Sequence, residues 1–207
     1  MHDPTSKFDG TLSLKAERTA KLVSLIEQPP FLSIPAFIII CMLKSDDAVN
    51  GAISSLIAII AASILPIFIT FYFSRRFGNE DKLDVYKKED RFMPLVCGII
   101  SYFLGVAGLY LVGAPQLATV LMLCYALVTL AITIITPYWK ISIHSCGVMG
   151  PSLALTVGFW PYGLLYFLLL PPVIWSRYVL KKHTPLQLAM GAIVGLLITA
   201  VVFVILL

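Results

Sequence analysis

The chain has 207 residues, of which 59% are hydrophobic and 13% charged, and a formal net charge of +4. Soluble domains carry about 25% charged residues, and no water-soluble core absorbs so much apolar surface, so the composition points to an integral membrane protein solvated by lipid. It excludes disorder, which needs low hydrophobicity, and it argues against nucleic acid as a partner, because no basic array is interleaved with aromatics.

Residues 1–28 hold acids and bases throughout and lack the apolar core of a signal peptide. Within them, residues 11–27 set Leu12, Leu22, Val23 and Ile26 beside Lys15, Glu17, Arg18 and Lys21, a pattern that suits an amphipathic helix on a membrane surface. The plainer alternative is a solvated tail. The expected division is therefore a cytoplasmic tail over 1–28 and an integral membrane domain over 29–207. A first short span is expected from about Pro30 to Leu43. No Asp, Glu, Lys or Arg occurs from Gly51 to Ser74, from Phe92 to Trp139, from Ser145 to Ser176 or from Thr184 to Leu207. A spanning helix needs about 20 apolar residues. The first and last runs fit one span each, and the run from Phe92 fits two, with Gly113-Ala114-Pro115 as the turn. Gly158, Trp160, Pro161 and Gly163 interrupt the run from Ser145, which predicts a hairpin of two short helices; one long kinked helix is the competing reading. The fold expected is all-α, a polytopic bundle of six or seven spans. Gly191 and Gly195 form a GxxxG in the last helix, a spacing for close helix packing. Cys41, Cys97, Cys124 and Cys146 form no CxxC pair and favour neither zinc nor disulfides.

Polar residues collect in three stretches. Ser74–Pro94 carries Arg75, Arg76, Lys82, Lys87, Lys88, Glu89, Asp90 and Arg91. Tyr138–Ser145 carries Lys140, Ser142 and His144. Ser176–Thr184 carries Arg177, Lys181, Lys182 and His183. Two crossings separate each stretch from the next, so all three are expected on one membrane face, with the N-terminal tail beside them. The excess of Lys and Arg there puts that face in the cytoplasm, in a cell membrane. Arg matches phosphate oxygens with a planar fork, and His titrates near neutrality. Such a set suits a phosphorylated lipid. Glu89-Asp90 could ligate Mg²⁺ with a phosphate, but no DxxxD-type repeat accompanies it. Thr184-Pro185-Leu186-Gln187 reads as a helix start, with Thr as N-cap, Pro in the first turn and Gln three residues after the cap. That sets His183 just before a helix N-terminus, where phosphate is favoured.

Three motifs in this order resemble the type 2 phosphatidic acid phosphatase (PAP2) superfamily of membrane lipid phosphatases, over residues from about 30 to 207. Ser176-Arg177, five residues, then His183 matches that family's third motif, SRxxxxxHxxxD, with Gln187 in place of the final Asp. Ser142 and His144 match two positions of its second motif, PSGH, where Ile141 and Ile143 replace Pro and Gly. Arg91 matches the Arg of its first motif, KxxxxxxRP; the spaced Lys is replaced by Asp84, and Pro94 stands two places late.

The resemblance implies a PAP2-like fold and a metal-independent phosphatase without cofactor. It would hydrolyse a lipid phosphate monoester or an isoprenoid diphosphate. It makes His183 the nucleophile of a phosphohistidine intermediate and His144 the acid that protonates the leaving oxygen and then activates water. Arg177 and Arg91 would hold the phosphate with Lys87, Lys88 or Lys140, and Ser142 and Ser176 would add to the phosphate site. Gln187 would orient His183 without supplying the family's negative charge. The same intermediate could pass its phosphoryl group to an alcohol. From a different class, the alternative is a non-catalytic lipid-binding or transport protein on the same scaffold, which the missing Asp favours.

Overall fold

The computed structural model describes residues 13–78 and 88–207, and every regular element among them is helical. Helix α1 (Leu14–Ile26) starts at Ser13, whose hydroxyl accepts from the Ala16 N–H at 3.2 Å. Its apolar residues Leu14, Leu22 and Ile26 are exposed, whereas Ala20 and Ser24, with Glu27 just past the last turn, are buried. The helix therefore packs its small and polar stripe on the protein and turns its apolar stripe outward. Lys15, Arg18 and Lys21 are exposed beside that stripe. Leu12 lies outside the described residues.

The chain bends by 47° at Glu27-Gln28 into α2 (Pro29–Lys44). Helix α3 (Ala48–Ile59) runs without a break through a π turn over Ile60–Ile64 into α4 (Leu65–Arg76). Pro66 explains the turn. It has no N–H to give to the carbonyl four residues back, Ala62, or five back, Ala61. The Ser101 hydroxyl, from another helix, donates to Ala61 O at 2.7 Å, and Ser33 Oγ, 2.8 Å from Pro30 O of its own helix, stands 3.4 Å from Ala62 O and 2.7 Å from Ser63 Oγ. A backbone group left unbonded at this depth would cost several kcal/mol.

Helices α5 (Phe92–Leu111) and α6 (Gln116–Ile135) form the expected antiparallel pair, and Gly113 takes φ +67° in the turn between them. Helix α7 (Ile143–Gly158) stops at the expected break. A 3₁₀ segment (Tyr162–Leu169) then leads into α8 (Leu170–Val179), which ends beside the start of α7. A Cβ on Gly163 would stand 2.1 Å from the Leu155 backbone, so the returning chain lies directly on α7. The run is thus a short hairpin and not one kinked helix. Helix α8 closes with Lys181 at φ 55°. Lys181 N–H bonds Tyr178 O at 2.9 Å and Lys182 N–H bonds Arg177 O at 3.0 Å, the two bonds of a Schellman cap. That tight reversal delivers the chain to α9 (Pro185–Leu206).

Among the described residues, four helices are long and apolar enough to cross a membrane: Ala48–Arg76, α5, α6 and α9. The bent α1–α2 pair makes a fifth if it is one span. Helices α7 and α8, with 16 and 10 residues, fall short individually. The exterior is apolar, with Leu104, Leu111 and Val204 prominent, while Ser33, Ser63, Ser101, Ser152 and Thr199 are fully or almost fully buried.

The contact that positions the site is α7 on α9. A Cβ on Gly191 would meet Ser142 O at 2.5 Å, and one on Gly195 would meet Cys146 O at 2.6 Å. The GxxxG face thus lets the first turn of α7 lie against the backbone of α9, and Ser142 N–H bonds Gln187 O at 3.3 Å. Gly191→Ala should push the two helices apart and lower stability by about 1–3 kcal/mol, the usual cost of overpacking. Thermal unfolding in detergent measures this, and an unchanged midpoint would show that the contact tolerates a methyl group.

Candidate functional site

The starts of α2, α5 and α7 and the chain just before α9 line one cavity together with Pro66 and Thr70 of α4 and Thr129 of α6, and polar motif residues meet there. The cavity, of about 120 Å³, is lined by Arg91, His144, His183 and Gln28 and by largely apolar residues such as Pro66, Leu95 and Tyr102.

Arg91 ends the 3₁₀ turn Lys88–Arg91 ahead of α5. It is 3% exposed, and its Nη1 donates to Ile141 O at 3.4 Å, tying the first motif to the chain just before the second. Ser142 is the N-cap of α7: its hydroxyl accepts from Ser145 N–H at 3.3 Å and from Ser145 Oγ at 3.2 Å. His144 follows in the first helical turn, 6% exposed, and faces the cavity. Lys140, half-buried, stands close enough to act electrostatically on His183.

On α8, Ser176 is fully buried and donates back to Val173 O at 3.0 Å, so its hydroxyl serves its own helix. Arg177 is 1% exposed, and its Nη1 donates to Ser24 Oγ on α1 at 2.9 Å. Lys88 begins the 3₁₀ turn, and Lys87 lies outside the described residues. The structure thus gathers Arg91, Lys140, His144, Arg177 and His183; the Ser142 hydroxyl accepts local bonds at the start of α7, and the Ser176 hydroxyl donates within its own helix.

His183 sits immediately before α9, and the predicted helix start is there. Thr184 Oγ1 accepts from Gln187 N–H at 3.3 Å, and Gln187 Oε1 accepts from Thr184 N–H at 3.1 Å, forming a reciprocal capping box. The same Oε1 lies 3.3 Å from His183 Nδ1. A backbone N–H can only donate, so the Gln187 atom facing Thr184 is the oxygen. His183 Nδ1 must then carry the proton, which leaves the Nε2 lone pair available.

Burial pushes the His183 pKa well below its ordinary 6.5; Arg177, Arg91, Lys140 and His144 push it in the same direction. The imidazole is therefore neutral at neutral pH. The unfolded chain takes up its proton near 6.5, whereas the folded chain does so only at lower pH. His183 thus supports the fold fully above 6.5, and that stability is lost as pH falls below it. His183→Asn should flatten this acid limb, leaving the unfolding midpoint less dependent on pH between about 4 and 6.5. Unfolding in detergent across that range tests it, and an acid limb as steep as the wild type's would refute it.

The sequence reading missed Ser24 and Gln28, both 7% exposed, and Glu27, equally buried, whose Oε2 accepts no hydrogen bond from the described residues. Their signal was available: three polar side chains at positions 24, 27 and 28, just ahead of Pro29-Pro30. Exposed Leu22 and Ile26 obscured it, since they mark the opposite face. Among the described residues, no three His, Cys, Asp or Glu side chains form a metal-binding group. The chain matches no protein-family model, no curated protein and no solved structure.

Proposed function

We propose that the protein is a membrane lipid phosphatase of the PAP2 type, acting on a lipid phosphate monoester or isoprenoid diphosphate through a phosphohistidine. The observation that carries the proposal is a cavity faced by two imidazoles and an arginine, in which one imidazole is neutral with its Nε2 lone pair available. In this reading α2, the α3–α4 helix, α5, α6, the α7–α8 hairpin and α9 enter or cross the bilayer. The site end faces the cytoplasm by the Lys/Arg excess at positions such as Lys15, Arg18, Arg75 and Arg76.

His183 Nε2 attacks phosphorus as the bond to the lipid oxygen breaks, and His144 gives that oxygen its proton. The lipid alcohol leaves from a monoester, and the lipid monophosphate leaves from a diphosphate. Water, deprotonated by His144, then attacks phosphorus, the P–N bond breaks, and inorganic phosphate departs. Arg91, Arg177 and Lys140 stabilise the charge on the non-bridging oxygens. The apolar lining of the cavity takes the first carbons of the chain. No step calls on a metal.

Purified protein should release phosphate from an isoprenyl phosphate or diphosphate, or from phosphatidate, at an undiminished rate in EDTA. His183→Asn should reduce release to background, because an amide cannot carry a transferable phosphoryl group. His144→Asn should be milder on substrates with good leaving groups. Full turnover by His183→Asn would overturn the proposal.

Gln187→Asp should keep or raise the rate and move the acid limb of the pH–rate profile upward, since a carboxylate beside Nδ1 favours the imidazolium. Gln187→Ala should lower stability by about 1 kcal/mol through the lost cap. An unmoved acid limb in Gln187→Asp would show that Gln187 acts on the helix alone.

A further inference from the structure

The N-terminal helix and its bend into α2 are not accounted for by the three motifs, yet the bend, through Gln28, Pro29 and Pro30, forms one wall of the cavity. Arg177 reaches across 153 residues of sequence to donate from Nη1 to Ser24 Oγ at 2.9 Å, and both side chains are buried. Four residues later, Gln28 lines the cavity alongside Arg91, His144 and His183. It is 7% exposed and stands at the N-cap of α2. Its side chain makes no capping bond, and its amide has no hydrogen-bond partner among the described residues. An amide that lines a cavity without a protein partner has its donors available to an occupant of that cavity.

The backbone beside it has little to offer an occupant of the cavity. Pro29 and Pro30 have no N–H, and the N–H groups of Phe31 and Leu32 both bond Gln28 O, at 2.9 and 3.1 Å. The Gln28 side chain is therefore the hydrogen-bond donor on that wall. Arg91 and two imidazoles face the cavity, with Arg177 and Lys140 close by, so the occupant is an anion.

We propose that this elbow is a built part of the phosphate site: Gln28 Nε2 donates to a non-bridging oxygen of the bound phosphoryl group, and Ser24 positions the Arg177 guanidinium. This deepens the phosphatase reading and rests on it. Gln28 contacts substrate, whereas Ser24 acts through Arg177. Helix α1 thereby belongs to the active site and is not a detachable tail. Its exposed Leu14, Leu22 and Ile26 also tie the geometry of the site to contact with the bilayer surface.

The test uses the full chain in detergent with Ser24→Ala, Ser24→Thr, Gln28→Leu and Gln28→Glu. Titration calorimetry with inorganic phosphate is run beside turnover of a short-chain lipid phosphate. Removing one hydrogen bond to a charged group should cost roughly tenfold or more in affinity. Gln28→Leu should therefore weaken phosphate binding and raise KM by about that factor. Gln28→Glu, of equal size but anionic, should weaken both further, which a packing role would not produce. Ser24→Ala should lower kcat more than it raises KM, and Ser24→Thr, which keeps the hydroxyl, should restore it.

If the wild type binds and turns over but all four variants match it, this inference fails and the phosphatase reading stands. The inference also fails if Gln28→Leu and Gln28→Glu lose affinity equally. If the wild type neither binds phosphate nor releases it, both are overturned.

Discussion

The close approach of α7 to α9 is the contact on which the site depends. Two backbones can come this near only where one helix lacks side chains, and Gly191 and Gly195 provide that face against Ser142 O and Cys146 O. The consequence is chemical as well as mechanical. His144 lies two residues beyond Ser142 and His183 lies four before Gln187, and Ser142 N–H bonds Gln187 O. Register between the helices therefore fixes the relation between the two imidazoles. Each helix alone presents one histidine at its start, and a pair facing one cavity exists only because the glycines let the two starts dock.

The same logic of satisfied backbone runs through the rest of the bundle. Lipid offers no hydrogen bonds, so every irregularity in a helix must find a partner inside the protein. Pro66 leaves the carbonyls of Ala61 and Ala62 without their usual donors; the Ser101 hydroxyl donates to the first, and Ser33 Oγ stands 3.4 Å from the second. The π turn that results places Pro66 and Thr70 of α4 along the cavity. The serines that look out of place in an apolar sequence are thus the reason the helix can deform beside the site. At the other end of the bundle, Asn50 Nδ2 donates to Val112 O at 2.7 Å, so the α5–α6 turn is held by α3 in the same way.

Much of this was legible in the sequence, because the signals are local. Charge-free runs marked the long helices, Gly113 marked the α5–α6 turn, and Gly158 to Gly163 marked the break in the hairpin. Thr184-Pro185-Leu186-Gln187 marked a capped helix start down to the reciprocal bonds of the cap. What was not legible is tertiary. Ser142, read beside His144 as a phosphate ligand, also caps the helix it begins, its hydroxyl accepting from Ser145 N–H and Oγ, and the Ser176 hydroxyl donates to Val173 O of its own helix. Helix α1 was read from its apolar stripe, Leu22 and Ile26, as a helix on a membrane surface; that stripe is exposed, and the opposite face, with Ala20 and Ser24, packs on the protein and carries polar contacts that the stripe does not announce. The bond from Ser24 to Arg177 spans 153 residues, and no spacing rule in a single sequence indicates it.

Gln187 shows how local and tertiary demands meet in one atom. Its Oε1 accepts from Thr184 N–H and lies against His183 Nδ1, so it closes the helix and sets the tautomer together. A carboxylate could also do both and would add negative charge. That charge would raise the basicity of His183, opposing the burial and the neighbouring cations that keep the ring neutral. On the phosphatase reading proposed above, the amide leaves the nucleophile unprotonated across the widest pH range and gives up charge stabilisation of the imidazolium that transfer would form. In that reading the burden of stabilising charge would fall on Arg91, Arg177 and Lys140. The buried anchoring of Arg177 on Ser24 and of Arg91 on Ile141 O is consistent with that burden, since a guanidinium held before the substrate arrives needs no reorganisation when charge develops.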